Sequence, residues 1–320
     1  YNIYGGTQDN STQGGPSRPT DRAGITNAAW YVVVGGDGFE PAIDPTDPNI
    51  VYAQWQYGGL IRRDRRSGEI TDIKPRQEPG EAPYVWNWNS PLIISPHSHT
   101  RLYYGGNYLA KSEDRGNSWE RISPKVHRDI DRNELEIMGE IQKPDAVAKH
   151  VSTSIYGNST ALSESPIEEG LIYLGSDDGL IHVTDDGGDN WRTIRSEEIE
   201  GVPEMTYVSW LFASQQDADV VYAAFENHKK GDFAPYAYRS DDRGRTWESI
   251  AGDLPDRHFV YSIQEDHVNP DLLFAGTEFG AFFTVDGGEH WVKIPGVPTI
   301  SVRDLDIQRR ENDLAMGTFG

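Results

Sequence analysis

Thr284-Val-Asp286-Gly-Gly288-Glu-His-Trp291 is one of four copies of a short string, [Ser/Thr]-x-Asp-x-Gly-x-x-Trp. The others are Ser112-Glu-Asp114-Arg-Gly116-Asn-Ser-Trp119, Thr184-Asp-Asp186-Gly-Gly188-Asp-Asn-Trp191 and Ser240-Asp-Asp242-Arg-Gly244-Arg-Thr-Trp247. At ordinary Gly and Trp usage, a single match is expected in about one chain in a hundred or fewer. Four matches are an internal repeat, and a repeat decides architecture before any local pattern does.

Each copy lies between two short apolar segments, as Phe282-Phe283 and Val292-Lys-Ile294 flank the last. Asp and Gly at its centre form turns, because Gly takes positive φ freely and Asp bonds neighbouring backbone. The string is therefore expected to be a hairpin turn between two strands. Its hydroxyl and carboxylate cap the turn, and its Trp pins the turn to the preceding strand. That is a structural task for Ser112, Asp114, Gly116, Trp119, Thr184, Asp186, Gly188, Trp191, Ser240, Asp242, Gly244, Trp247, Thr284, Asp286, Gly288 and Trp291.

A second element recurs upstream: an apolar pair followed by small residues. It reads Tyr103-Tyr104-Gly105-Gly106, Tyr173-Leu174-Gly175-Ser176, Val221-Tyr222-Ala223-Ala224 and Phe274-Ala275-Gly276-Thr277. Val51-Tyr52-Ala53 is an earlier copy, its box decayed to Arg62-Arg63-Asp64-Arg65-Arg66-Ser67-Gly68. Ile3-Tyr4-Gly5-Gly6 and Ala315-Met316-Gly317-Thr318 are copies at the two ends. Corresponding apolar residues of the copies fall at 4, 52, 104, 173, 222, 274 and 316. A period of about 40–50 residues with several strands per unit is the signature of a β-propeller.

The expectation is an all-β propeller of about seven four-stranded blades, with strands A to D from the inside outward. The segment before each Tyr-Gly element is A, that element is B, and the box joins C to D. The first blade then lacks A and the last lacks C and D. Residues 1–320 read as a single propeller segment of a longer chain. Residues 126–150 are an insertion between blades, its Arg132–Ile141 stretch read as a short surface helix.

Composition narrows the partners. The chain of 320 residues has 29 Lys and Arg against 51 Asp and Glu, a net charge of −22. That disfavours nucleic acid and anionic membrane surfaces, both of which reward clustered cations. No cysteine is present, which removes disulfides and thiolate sites. The nine His show no metal-ligand spacing, no metal or cofactor is expected, and no apolar run approaches a membrane span. Asn10-Ser-Thr and Asn158-Ser-Thr are glycosylation triplets.

The boxes resemble the Asp-box, or bacterial neuraminidase repeat. With Tyr84-Val-Trp86-Asn-Trp88-Asn-Ser-Pro91, Ser95-Pro96-His97, Leu102-Tyr-Tyr-Gly-Gly-Asn107 and Gly175-Ser-Asp-Asp-Gly179, the chain resembles the bacterial branch of the sortilin-type propellers. That branch is usually labelled glycosyl hydrolase-like. The resemblance implies an extracytoplasmic protein, periplasmic or secreted. The cysteine-rich module of the sorting receptors is missing, so their role does not carry over. Sialidases need an Arg-Ile-Pro motif, which is absent. Xyloglucan-cleaving enzymes place two Asp carboxylates between two propellers, and one propeller's worth of chain is present. Photosystem assembly factors share the box but not the Asp44-Pro-Thr-Asp-Pro-Asn49 type of strand.

In a propeller the B–C and D–A loops share one face, and the boxes mark the other. The B–C loops hold Asp9 and Asn10, Trp55 and Tyr57, Asn107, Asp177 and Asp178, Glu226 to Lys229 including His228, and Glu278 with Phe279. Asp37 between glycines, Trp86 and Trp88 are expected to add to that rim. Aromatic faces beside carboxylates and amides suit a sugar. Each residue has a plain alternative: Asp37 and Asp177-Asp178 as turn formers, Trp86 and Trp88 as filling between blades, His97 and His99 as solvated loop residues.

Two functions follow. The first is a ligand-binding or scaffold module, taking a glycan, a peptide or a partner subunit at the channel mouth, with other segments of the parent chain or a partner at the open blade edges. The second is a glycoside hydrolase using two rim carboxylates, Asp37 and Glu278 foremost. Such a pair stands about 5–5.5 Å apart in retaining enzymes and about 6.5–9.5 Å apart in inverting ones.

Overall fold

The computed structural model describes residues 2–19, 22–147, 149 and 156–319. It consists of antiparallel sheets, with helix confined to four short 3-10 turns among the described residues. Among them, no helix is long and apolar enough to cross a membrane. The sheets are the blades of a six-bladed propeller, grouped in two compact units.

The first unit holds blades 1 to 3. Blade 1 has three strands, Asn2–Thr7, Ser11–Pro16 and Tyr31–Val34. Blade 2 runs Ala42–Ile43, Ile50–Trp55, Gly59–Asp64 and Ile70–Asp72. Blade 3 runs Leu92–Ile94, Leu102–Gly105, Leu109–Ser112 and Glu120–Arg121. The second unit holds blade 4, Ser159–Glu164 to Arg192–Arg195, blade 5, Tyr207–Ala213 to Glu248–Ser249, and blade 6, Val260–Glu265 to Val292–Lys293. A two-stranded ribbon, Val302–Gln308 with Asp313–Thr318, follows. The count is therefore six, not about seven: the last repeat copy has its two inner strands and no outer pair.

Strand B explains the Tyr-Gly element. In blade 2 the residues of Ile50–Trp55 alternate between two cores, as side chains in a strand must. Ile50 and Tyr52 join Leu92, Leu102 and Tyr104 of blade 3. Val51 and Ala53 join Val33 with Tyr4 and Tyr31 of blade 1. Blade 5 repeats the pattern: Val221, Ala223 and Phe225 pack toward blade 4, and Tyr222 and Ala224 toward blade 6. A strand covered on both faces reads as a continuous apolar run rather than an alternating one. Small residues follow because the neighbouring blade approaches closely.

All four boxes fold alike. The hydroxyl of Ser112, Thr184, Ser240 or Thr284 donates to the box Asp at 2.6–2.9 Å and accepts the N–H of the box Gly at 2.7–3.1 Å. The Asp then accepts the backbone N–H four residues on, at 2.8–3.0 Å. The residue after Asp is left-handed in each case: Arg115 and Arg243 with φ of 61°, Gly187 at 74° and Gly287 at 72°. The Trp anchors differ from expectation. Trp119 and Trp291 donate to the Ile73 and Ile250 carbonyls beyond the outer strand of the preceding blade, at 2.7 and 2.9 Å. Trp191 and Trp247 close onto their own turns, at Gly188 and Gly244.

Three further expectations are corrected. Residues Arg132–Glu134 form a 3-10 turn, and Glu136–Ile137 pairs with Glu140–Ile141, so no surface helix spans this stretch. Met138 and Gly139 between the strands are both left-handed, at φ of 58° and 81°, which makes a tight hairpin turn that a helix could not contain. Of the insertion, residues 148 and 150 lie outside the described residues. Asn158 is wholly buried, which withholds that triplet from a glycosyl group in the folded chain. His99 is not merely solvated: its Nδ1 lies 3.1 Å from the buried Asp44 carboxylate, which also takes Arg115.

Candidate functional site

Several of the expected rim residues are committed to holding the structure together. Asp37 is buried; its carboxylate accepts the N–H of Asp9 at 2.9 Å, and its own N–H donates to Gln56. Asp9 (φ 62°) and Asn10 are exposed in the turn this bond closes. Asn107 is buried and bonds Val85 N–H and the Pro83 carbonyl. Trp86 is a core residue, stacked between Tyr84 and Tyr104 at 5.3 and 4.7 Å, which leaves no face for a ligand. Asp178 is buried, accepting Ser176 Oγ at 2.6 Å and the Arg128 N–H at 2.7 Å. Asp177 is buried beside it.

In the first unit Trp55, Tyr57 and Trp88 keep some exposure. Tyr57 meets Trp88 edge to face at 5.0 Å. The Trp55 ring lies against Gly59, where an added Cβ would come within 2.1 Å of it. A charged hollow of about 300 Å³ lies by the decayed box, lined by Arg62, Asp64, Arg66, Glu69 and Arg115 among others. Its arginines are spent on one another's neighbours: Arg66 on Asp47 and Asp64, Arg115 on Asp44, Arg62 on the Arg115 carbonyl and Asn117.

The second unit assembles a different place. His228 and Glu278, on the B–C loops of blades 5 and 6, come together in a cleft of about 230 Å³. Phe233, Arg257, Phe259, Tyr261, Phe279 and Arg303 complete its lining. His228 stacks on Phe259 at 4.7 Å and 16°. Tyr261 Oη donates to Glu278 Oε2 at 2.7 Å, joining the inner strand of blade 6 to its B–C loop. Phe233 and Phe279 remain exposed.

Behind His228 sits Glu226, its side chain 8% exposed, with Oε1 3.6 Å from His228 Nδ1. Burial pushes its carboxyl up, against the pull of His228, Lys229 and Arg303, and the charge of Glu278 adds to the rise. A buried carboxyl beside a second one in a cleft is the arrangement from which acid–base pairs are made. Tyr261 itself is pushed well up, by burial first and then by its bond to Glu278.

The structure thus joins three residues named from sequence, His228, Glu278 and Phe279, and adds five. Phe259 and Tyr261 lie at the D–A lead into blade 6, and such leads share a face with the B–C loops; that topology was the signal available for them. Arg257 lies in the same lead, and Arg303 on the last ribbon had no such signal. On the opposite, box side, Asp286, Glu289 and His290 place ligand atoms within 4.8 Å of one another. All three are exposed, and Asp286 already accepts from Thr284 and His290.

No protein-family model matches the sequence. In structure it is similar to an ancestral GH74 enzyme, with a TM-score of 0.59 and 16% identity over 89% of this chain and 34% of that one. The extracellular domain of a one-component system from B. thetaiotaomicron gives 0.53 and 13% over 88% and 30%. YCF48 bound to D1 peptide gives 0.50 and 12% over 88% and 74%. The chain is a β-propeller. In sequence the propeller is similar to an oligoxyloglucan-reducing end-specific xyloglucanase of Neosartorya fischeri, 26% identical over 173 residues. That match takes in 51% of the propeller chain, which spans 18% of the length of the xyloglucanase.

Proposed function

We propose that this propeller is a saccharide-binding module of the Asp-box kind, acting outside the cytoplasm, with its site in the cleft of blades 5 and 6. The observation that carries the reading is the pairing of exposed Phe233 and Phe279 with Glu278, Arg257 and Arg303 in one small cleft. Sugars present C–H faces that stack on aromatic rings and hydroxyls that bond carboxylates and guanidinium groups. The likeness to a GH74 enzyme, to a xyloglucanase and to an extracellular domain supports saccharide as the class and the outside of the cell as the place.

Calorimetric titration with a panel of oligosaccharides, xyloglucan fragments included, tests it. Binding that disappears in Phe279→Ala, with the unfolding temperature unchanged, is the expected result. Binding that persists in Phe279→Ala and Phe233→Ala together puts the site elsewhere. A peptide bound in preference to every saccharide overturns the reading and points to the kind of partner named for YCF48.

A second reading is glycoside hydrolysis, favoured by the Glu226–Glu278 couple. Burial inclines Glu226 toward the protonated state that a general acid needs, while Tyr261 donates a hydrogen bond to Glu278. Asp37 takes no part in this version, being held by the turn it caps. Release of reducing ends from a polysaccharide, abolished in both Glu226→Gln and Glu278→Gln, is its expected signature. Turnover that survives both substitutions removes it.

A further inference from the structure

The cleft of blades 5 and 6 departs in sign from the protein that carries it. The chain has 51 acidic residues to 29 Lys and Arg, yet the cleft lining includes Arg257 and Arg303 against Glu278. Several other arginines are spent on acids, although Arg65 and Arg121 also lie over rings. Arg128 takes Glu197 with two bonds at 2.6 and 2.8 Å, Arg243 takes Glu168 and Asp219, and Arg115 takes Asp44. Among the described residues, Arg257 and Arg303 form no ion pair. Each lies over rings instead, Arg257 at 5.2 Å from Phe233, and Arg303 at 4.7 Å from Tyr261 and 5.7 Å from Phe319.

That placement fixes what the two side chains offer. Stacking uses the flat face of a guanidinium and leaves its N–H edge free, and that edge matches a carboxylate with two parallel bonds. In a chain so rich in acids, two cleft arginines that lie over rings and form no ion pair are open to an acid from outside, although Arg303 also pulls on the buried Glu226. The cleft's own carboxyls offset them only in part. Glu278 is engaged by Tyr261, and Glu226 lies behind the His228 ring.

We propose that Arg257 and Arg303 make this cleft a receptor for a carboxylate-bearing saccharide, a uronic-acid unit whose ring lies on Phe279 or Phe233 and whose carboxylate takes the guanidinium edges. This rests on the saccharide reading of the same cleft and sharpens it. An acidic peptide shares the charge, but a cleft of about 230 Å³ lies at the small end of ligand sites and suits a single ring better than an extended chain.

The test is calorimetric titration of the whole chain with trigalacturonate, with the neutral trisaccharide of galactose, and with a glutamate hexapeptide. Trigalacturonate is expected to bind at least about tenfold tighter than the neutral sugar. The advantage should shrink as salt is raised and vanish in Arg303→Gln and in Arg257→Gln, the latter an exposed site whose change leaves folding alone. Equal affinity for the acidic and neutral sugars overturns the acidic class and leaves the saccharide reading standing. An advantage that survives both substitutions overturns the role of the arginines. Binding of the hexapeptide alone, or of none of the three, overturns the proposal, and the hexapeptide result takes the saccharide reading with it.

Discussion

The buried carboxylate of Glu265 accepts the backbone N–H of Gln215 at 2.7 Å, across the seam between blades 6 and 5. It also accepts Ser214 Oγ at 2.8 and 2.9 Å and Tyr222 Oη at 3.2 Å. One inner-strand residue thereby satisfies three groups of its neighbour, and the repeat Tyr of strand B supplies one of them. Such seams hold a propeller's blades in register where sheet hydrogen bonds do not reach.

Removing that acceptor leaves buried donors without partners. Glu265→Ala is expected to lower unfolding free energy by about 3–5 kcal/mol, in the range for breaking buried charged networks. Glu265→Gln keeps one acceptor oxygen and should lose less. Urea denaturation of both variants measures the difference; equal losses would show that charge, not acceptor geometry, is what matters.

His182 lies buried in strand C of blade 4, its Nδ1 2.9 Å from Thr193 Oγ1. Burial pushes it down to about 4, from an ordinary value of 6.5. The unfolded chain therefore takes up a proton first as pH falls. Its contribution is full above pH 6.5 and is lost as pH drops toward 4, by about 3 kcal/mol in all. The gap in unfolding free energy between the wild type and His182→Asn should narrow over that interval. A gap that stays constant with pH refutes the assignment.

The box carboxylates act lower. Asp186 is held at about 2 by the Asn190 side chain and N–H and by Thr184. Asp242 is also held at about 2, where the bonds from Thr246 and Ser240 outweigh burial. A depressed carboxylate stabilises above its unfolded value and loses that effect as pH falls to the folded one. Acid unfolding between pH 4 and 2 should shift upward in Asp186→Asn, whereas the His182 substitution should leave that interval alone.

Arg243 sits at φ 61°, with Asp219 at 2.7 Å and Glu168 at 2.7 Å. Left-handed backbone costs a non-Gly residue about 1 kcal/mol, and the two partly exposed ion pairs return about as much. Arg243→Ala keeps the strain and drops the pairs, so it should destabilise by about 1–2 kcal/mol. Arg243→Gly drops both and should stay near the wild type. Thermal unfolding that ranks Gly below Ala would contradict the balance, and added salt should bring wild type and Ala closer.

Tyr261→Phe removes the hydroxyl that donates to Glu278. Oligosaccharide affinity is expected to fall by about tenfold, the weight of a hydrogen bond to a charged group, with the core of blade 6 intact. Unchanged affinity would mean that Glu278 does not need to be positioned.

The box could be read from sequence because its bonds are local. Ser240, Asp242 and Gly244 meet within five residues, so spacing alone specifies the turn. Strand B was legible for another reason: a strand buried on both faces must be apolar throughout, as Val221 to Phe225 is. Trp86 read either as a sugar platform or as filling, and Asp37 and Asp178 either as rim acids or as turn formers, because an aromatic or an acid in a loop has the same spelling whether it faces solvent or caps a neighbour. The helix read at Arg132–Ile141 failed in the same way, since charge spacing does not distinguish a helix face from a hairpin.

Sequence by itself determined the repeat, the strand order within each blade and the turns, all set by contacts within about fifty residues or fewer. It also determined which loops share a face. Tertiary structure alone decided that six blades form, that Asp37, Asn107 and Asp178 are spent on loops, and that His228, Tyr261, Glu278 and Arg303 meet in one cleft. Those four stand on three successive sheets, and the distance between their side chains depends on blade packing that no local pattern encodes.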